Sequence, residues 1–303
     1  MKESNYIFSI NSGFAVNRYT SPDEWVPLFS KFIGVKNVQF TADLLNPYLP
    51  SDLINKKINQ TNECLNQNNL NVSSTFTGSF TRLNNLTHPD KDFRNYYLMW
   101  FKKFVDITIG LNCNKFGSHF GILTQNDFEN KDRYLYLKDE AIKSWHKIAA
   151  YSKDRGINEI SWEPMSIGRE FGETIKNAIS LNEELNNNSP LPFFMCLDVD
   201  HGDLESKNIK DTNPYSWIED CKDQFNMIHL KQSYDNKGGH WPFTEEHNRK
   251  GIIFPDKVIN LINKSNKKNI ELVLELSFKE RQPTDKLASK HVKESFEYWN
   301  NFL

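Results

Sequence analysis

No apolar run in this chain is long enough to cross a bilayer; the longest, such as Leu191 to Leu197, have the length of a strand. Cysteine is scarce, with 4 in 303 residues, and Cys64, Cys113, Cys196 and Cys221 are too scattered for a CxxC pair or a zinc ribbon. A disulfide framework is therefore not expected in a chain this large. Nor is the N-terminal patch expected to be a secretion signal. The apolar patch Tyr6 to Ile10 is broken up by Glu3, Asn5, Ser9 and Asn11, and no small-residue cleavage site follows it. Nor is there an excess of positive charge: 37 Lys and Arg face 39 Asp and Glu, for a net charge of −2 and a pI near 6.5. Without a long-range positive field, neither nucleic acid nor a membrane is expected as a partner, although a local cationic pocket for one phosphate stays open. No linker, low-complexity tract or composition shift marks a boundary. Residues 1–303 read as a single catalytic domain, reduced, soluble and cytoplasmic, with homo-oligomerisation left open.

What the chain does contain is apolar material for a large core, 38% hydrophobic and 13% aromatic residues. It comes as short runs rich in β-branched and aromatic residues, alternating with amphipathic stretches of helix length. Strands are expected at Tyr6–Ser12, Val38–Ala42, Val72–Thr77, Lys115–Ile122, Ile157–Glu163, Phe193–Asp198, Met227–Lys231 and Ile270–Leu276. A helix follows each: Ser21 to about Phe32, opened by Ser21-Pro22-Asp23-Glu24, then Pro50 to about Gln67, and the stretches around Phe93–Leu111 and Tyr134–Arg155. The later ones lie around Glu173–Leu185, Tyr215–Gln224, Pro255–Lys264 and Lys286–Phe302, and the stretch between Lys231 and Pro255 reads as a polar, glycine-containing loop. Strict β/α alternation argues for a parallel sheet, and eight units argue for closure into a (β/α)8 TIM barrel of the α/β class.

In that fold, polar residues at the C-terminal ends of strands face the active site. Those ends carry Gly117-Ser118-His119, Trp162-Glu163-Pro164, Asp198-Val199-Asp200-His201-Gly202, His229-Leu230-Lys231 and Leu274-Glu275-Leu276. Taken singly, Glu163 reads as a solvated rim residue, Asp198 as a turn former and His229 as a core histidine. Glu275 is different, because a carboxylate inside the apolar run Leu272-Val273-Leu274 is costly unless paired or metal-bound. Together the four fall on four successive strands, at spacings of 35, 31 and 46 residues. Three carboxylates and one imidazole suit one divalent metal ion: Mn2+, Mg2+, Co2+ or Zn2+.

With these residues in view, the chain resembles the xylose-isomerase-like barrel superfamily, which holds sugar isomerases, ketose 3-epimerases, inosose dehydratases and endonuclease IV. Asp198-x-x-His201 is similar to a motif whose Asp binds metal and whose His binds substrate. Gly251 to Val258 resembles the segment leading into the seventh helix, and Trp162 to Glu170 resembles bacterial sugar phosphate isomerase/epimerase proteins. The resemblance implies that Glu163 and Glu275, besides holding metal, are catalytic and move protons on a small sugar or sugar phosphate. Chemistry supports it: removing a proton next to a carbonyl needs a base, and the resulting enediolate needs a cation.

Candidate substrate contacts are His201 and His119 for hydroxyls, Arg169 for a distal phosphate or carboxylate, and Lys231 at the seventh strand end. After that strand, Lys237-Gly238-Gly239-His240 is a candidate phosphate cradle, with Trp241 and Phe243 walling the pocket. The segment Thr75–Arg82, with His88 beyond it, is another candidate wall. The reading that results is a metal-dependent sugar isomerase or epimerase. A dehydratase of a keto-polyol such as an inosose is the alternative, using the same metal. An endonuclease IV-like repair enzyme lacks its Asp-x-His pair and a third-strand His here, and its DNA would meet an acidic protein.

Overall fold

The computed structural model describes residues 6–83, 85–234, 237–264 and 268–303. Seven strands come first: β1 (Tyr6–Asn11), β2 (Asn37–Thr41), β3 (Asn71–Phe76), β4 (Lys115–His119), β5 (Glu159–Glu163), β6 (Phe193–Asp198) and β7 (Phe225–Leu230). A two-stranded insert follows, β8 (Gln232–Tyr234) and β9 (Lys237–Trp241), and then β10 (Ile270–Leu274). The first seven and β10 form a closed barrel in chain order, every pair parallel, with β10 closing on β1 from Tyr6–Ile270 to Ile10–Leu274. The expected (β/α)8 barrel is the fold. Among the described residues, no helix is long and apolar enough to cross a membrane.

The returning helices start where the sequence supplies caps. Asn130 accepts from the backbone N–H groups of Asp132 and Arg133 to open the helix Lys131–Asp154, which then buries Leu137, Ala141, Trp145 and Ile148 along one face. The first helix differs from expectation. It is α-helical over Pro22–Pro27 and widens into a π turn over Leu28–Ile33, next to Pro27, which has no N–H for the ladder. The fourth and eighth barrel strands stop at His119 and Leu274, short of Ile122 and Leu276. The stretch read as a loop between Lys231 and Pro255 holds the antiparallel β8–β9 hairpin and a short helix, Glu245–Asn248.

The core has two parts. Outside the barrel wall, Trp25, Trp145, Trp162 and Trp299 are among the large side chains buried beneath the helices. A separate cluster of Phe76, Cys196, Met227 and Val273 lies beneath the strand ends. Gly117 makes room for it: a Cβ there would stand 2.2 Å from the Phe76 ring and 2.9 Å from the Ser161 carbonyl oxygen. With no side chain at 117, the Phe76 ring lies edge-on against the His229 imidazole, 4.9 Å between centroids.

Candidate active site

Register places the site residues. Asp198 is the partner of His229 across β6 and β7, His119 is the partner of Glu163 across β4 and β5, and the Glu275 amide bonds to the Leu230 carbonyl beside β7. Pro164 follows Glu163 directly, which removes a ladder donor where β5 ends. One donor atom from each of Glu163, Asp198, His229 and Glu275 lies within 4.8 Å of all the others. The structure thus brings the four candidate ligands together.

The His229 imidazole shows which donor set is offered. Its Nε2 sits 3.0 Å from the Gln39 Oε1, which also accepts from Asn11 Nδ2 at 2.7 Å. A carbonyl oxygen only accepts, so the ring proton is on Nε2 and the Nδ1 lone pair faces Glu163 at 3.3 Å and Glu275 at 3.5 Å. A lone pair aimed at carboxylates is repulsive unless a cation or a proton stands between them. Burial opposes charge on His229, yet Cys196, Glu275 and Glu163 around it raise its pKa well above the ordinary imidazole value. One nitrogen and three carboxylates in that arrangement fit a divalent metal ion.

Lys231 is the part of this cluster that the sequence reading misassigned. Its ammonium is fully buried and its three donors go to Asp198 Oδ2, to Glu275 Oε2 at 2.7 Å and to His240 Nδ1 at 2.8 Å. Three N–H groups with three partners leave none for substrate, so Lys231 organises the carboxylates instead. Burial would lower its pKa, but Asp198, Glu275 and Glu163 hold it well above the ordinary ammonium range. The cation in turn acts on its partners. Burial disfavours the Glu275 carboxylate, but Lys231 and His229 hold its pKa down to about 2; Asp198 is held low against the same penalty by His201 and Lys231. With His229 in the neutral form that a metal ligand needs, three carboxylates against one ammonium leave a net charge of −2, which one divalent cation would balance.

A small cavity of about 120 Å³ opens over this cluster, lined by Thr77, Gly78, Arg82, His119 and His201 as well as the carboxylates. His201 gives its Nδ1 proton to the Pro164 carbonyl at 3.0 Å and points Nε2 toward Asp198. Burial, with the Arg82 charge nearby, lowers the His119 pKa to about 3, so this imidazole is neutral. Arg82 is held by Glu170 at 2.6 Å. The cavity shares Gly78, Ser79, His240 and Glu275 with a larger one of about 620 Å³, whose far wall is formed by residues 276–282.

Other expectations need correction. Arg169 does not line either of these cavities: its Nη1 donates to the Leu123 carbonyl at 2.5 Å, and its own carbonyl accepts from the Leu123 amide. Trp241 stacks on Tyr234, 4.1 Å between centroids, and lines neither of these two cavities, and Phe243 is buried against Tyr298 and Trp299. The candidate phosphate cradle is already filled, because the Asp200 Oδ2 accepts from the amides of Gly239 at 2.6 Å and His240 at 3.4 Å. The Lys237 side chain lies outside the described residues. Of that segment, His240 alone borders both cavities. Gln39 was missed altogether, although a polar residue between Val38 and Phe40 in a buried strand is a signal of its own.

Comparison with known proteins agrees with the barrel fold. The profile of the xylose isomerase-like TIM barrel family matches residues 30–300. D-erythrulose 1-phosphate 3-epimerase of Brucella abortus (strain 2308) is 37% identical over 292 residues, covering 96% of this chain and 94% of that protein. Among solved structures, a protein from Rhodospirillum rubrum superposes with a TM-score of 0.89 at 22% identity, covering 98% of this chain and 99% of that one. D-allulose 3-epimerase of Methylomonas sp. follows the same fold with a TM-score of 0.71 at 13% identity, covering 99% of each chain.

Proposed function

The chain belongs to the xylose isomerase-like TIM-barrel family, and on that premise we propose that it is a ketose-phosphate 3-epimerase that inverts the carbon next to the ketone of a small sugar phosphate. Its chemical class is that of the isomerases. The relative named as D-erythrulose 1-phosphate 3-epimerase makes a four-carbon ketose 1-phosphate the first substrate to try.

The observation that carries the proposal is the placement of two carboxylates on either side of one imidazole. Glu163 on β5 and Glu275 after β10 are separated in the barrel wall by β6 and β7, and both face the His229 Nδ1. Inversion at a carbon bearing hydrogen needs a base on one face and a proton donor on the other. Two carboxylates from separated strands meet that need, which a single shuttling base does not. Lys231 keeps Glu275 ionised, ready to accept a proton. His201 and the neutral His119 line the cavity where substrate hydroxyls must be held. Glu163, Asp198, His229 and Glu275 would hold the divalent metal, which when bound supplies positive charge for the oxygens of the deprotonated ketose.

The test is turnover of D-erythrulose 1-phosphate in D2O with added Mn2+. Epimerisation should place solvent deuterium at C3, and Glu163→Gln and Glu275→Gln should each lower kcat by about 10²–10⁴ while metal is retained. Inversion without solvent label, or a product lighter by one water, would reject the two-base epimerase.

A further inference from the structure

We infer that the larger cavity is a phosphate subsite, in which Lys279, Arg281 and the His240 Nε2–H hold the phosphate ester of the substrate; this rests on the reading of the site as a sugar-phosphate epimerase. In a ketose 1-phosphate only C1 and C2 separate the ester from the reacting C3. The phosphate must therefore lie in space continuous with the carboxylate cluster. The cavity of about 620 Å³ meets that condition, because Glu275, His240, Gly78 and Ser79 line it as well as the smaller one.

Charge within that cavity is not evenly committed. Arg18 is spent on Asp285 and on the carbonyls of Phe14 and Phe278. Asp43 is taken up by the Phe80 amide and the Thr81 hydroxyl, and Glu280 by Asn17. Lys279 and Arg281 remain, exposed and without an ion pair or side-chain hydrogen bond among the described residues. They stand on the loop after the last barrel strand, at the face where barrels of this kind commonly hold phosphate. At the junction of the two cavities, His240 Nδ1 accepts from the Lys231 ammonium, so the imidazole keeps its proton on Nε2 and has a donor to offer. The backbone amides of the β8–β9 hairpin are not competitors for the role, since the Asp200 carboxylate already occupies them.

The experiment compares wild type with the Lys279→Ala/Arg281→Ala double variant, both purified without chelator. Inorganic phosphate is titrated calorimetrically, and turnover is measured on D-erythrulose 1-phosphate and on D-erythrulose. Charged hydrogen bonds of this type sustain losses of about 10- to 100-fold each. The double variant should therefore raise KM for the phosphorylated ketose by at least about 10-fold and weaken inorganic phosphate equally, with KM for D-erythrulose unchanged. Equal losses on both ketoses, an unchanged double variant, or a selective loss in Arg82→Ala instead would overturn the assignment. Absence of turnover with either ketose would count against the epimerase reading alone. Phosphate binding by wild type and its loss in the double variant would still decide the subsite, and a wild type that binds no phosphate would refute it.

Discussion

Gln39 decides which nitrogen of His229 faces the carboxylates, since its carbonyl oxygen accepts the Nε2 proton. It is itself held in that orientation, because its amide donates to Ser74 Oγ at 3.1 Å and Ser74 donates onward to Glu271 Oε1 at 3.1 Å. Groups of this kind, one shell behind a ligand, are commonly worth a factor of 10 to 100 in metal affinity. Gln39→Leu should weaken Mn2+ binding by about that factor, measured by titration calorimetry, while the circular dichroism spectrum stays that of the wild type. Unchanged affinity would mean that the imidazole orients itself. The four clustered residues were legible from sequence because each is a polar residue at a strand end. Gln39 and Lys231 were harder, since their roles depend on which neighbour their polar atoms reach across the barrel, and one chain position carries no such information.

Among the elements, the β8–β9 hairpin departs furthest from what the sequence suggests. Its strands are short, and Gly238-Gly239 has little preference for extended structure, so it reads as a loop. What makes it a hairpin is Asp200, thirty-odd positions earlier in the loop after β6, whose carboxylate takes the Ser233 hydroxyl and the amides of Gly239 and His240. In sequence, Asp200 is only one residue of the strand end Asp198-Val199-Asp200-His201-Gly202. Asp200→Ala should release the hairpin, increasing amide exchange across 232–241 and raising KM through His240, with metal affinity retained. An undisturbed hairpin in that variant would show that the strand pairing holds without its anion. The helices fared better, because caps and 3.6-residue periodicity are local signals; their ends shifted by only a few residues, as for Lys131–Asp154 against the expected Tyr134–Arg155.

At the scale of the whole molecule, barrel closure was legible from the count of β/α units, whereas the polar filling of its interior was not. Ser9, Ser73 and Ser74 all donate to the buried Glu271, a carboxylate within Ile270-Glu271-Leu272 whose alternation with apolar neighbours was the available hint. Buried ionisable groups also make the stability of the molecule depend on pH. His119 has its pKa lowered to about 3 by burial, against 6.5 for an ordinary imidazole, so between those values the unfolded chain takes up a proton that the folded one refuses. Glu275, lowered to about 2, acts in the same direction below about 4.5. Unfolding free energy in EDTA should fall as pH drops from about 6.5 toward 3, by at most about 1.4 kcal/mol per pH unit for one proton, and His119→Asn should flatten the upper part of that fall. Denaturant titrations across the range give the slope, and a His119→Asn profile parallel to that of wild type from 6.5 to 4 would rule out a neutral buried His119. The empty position at Gly117 has a different reach. It touches neither ligand nor substrate cavity, yet any side chain there would collide with the ring on which His229 rests. A methyl group at 117 would thus disturb the site from one layer beneath it, through the tilt of an imidazole that the methyl never touches.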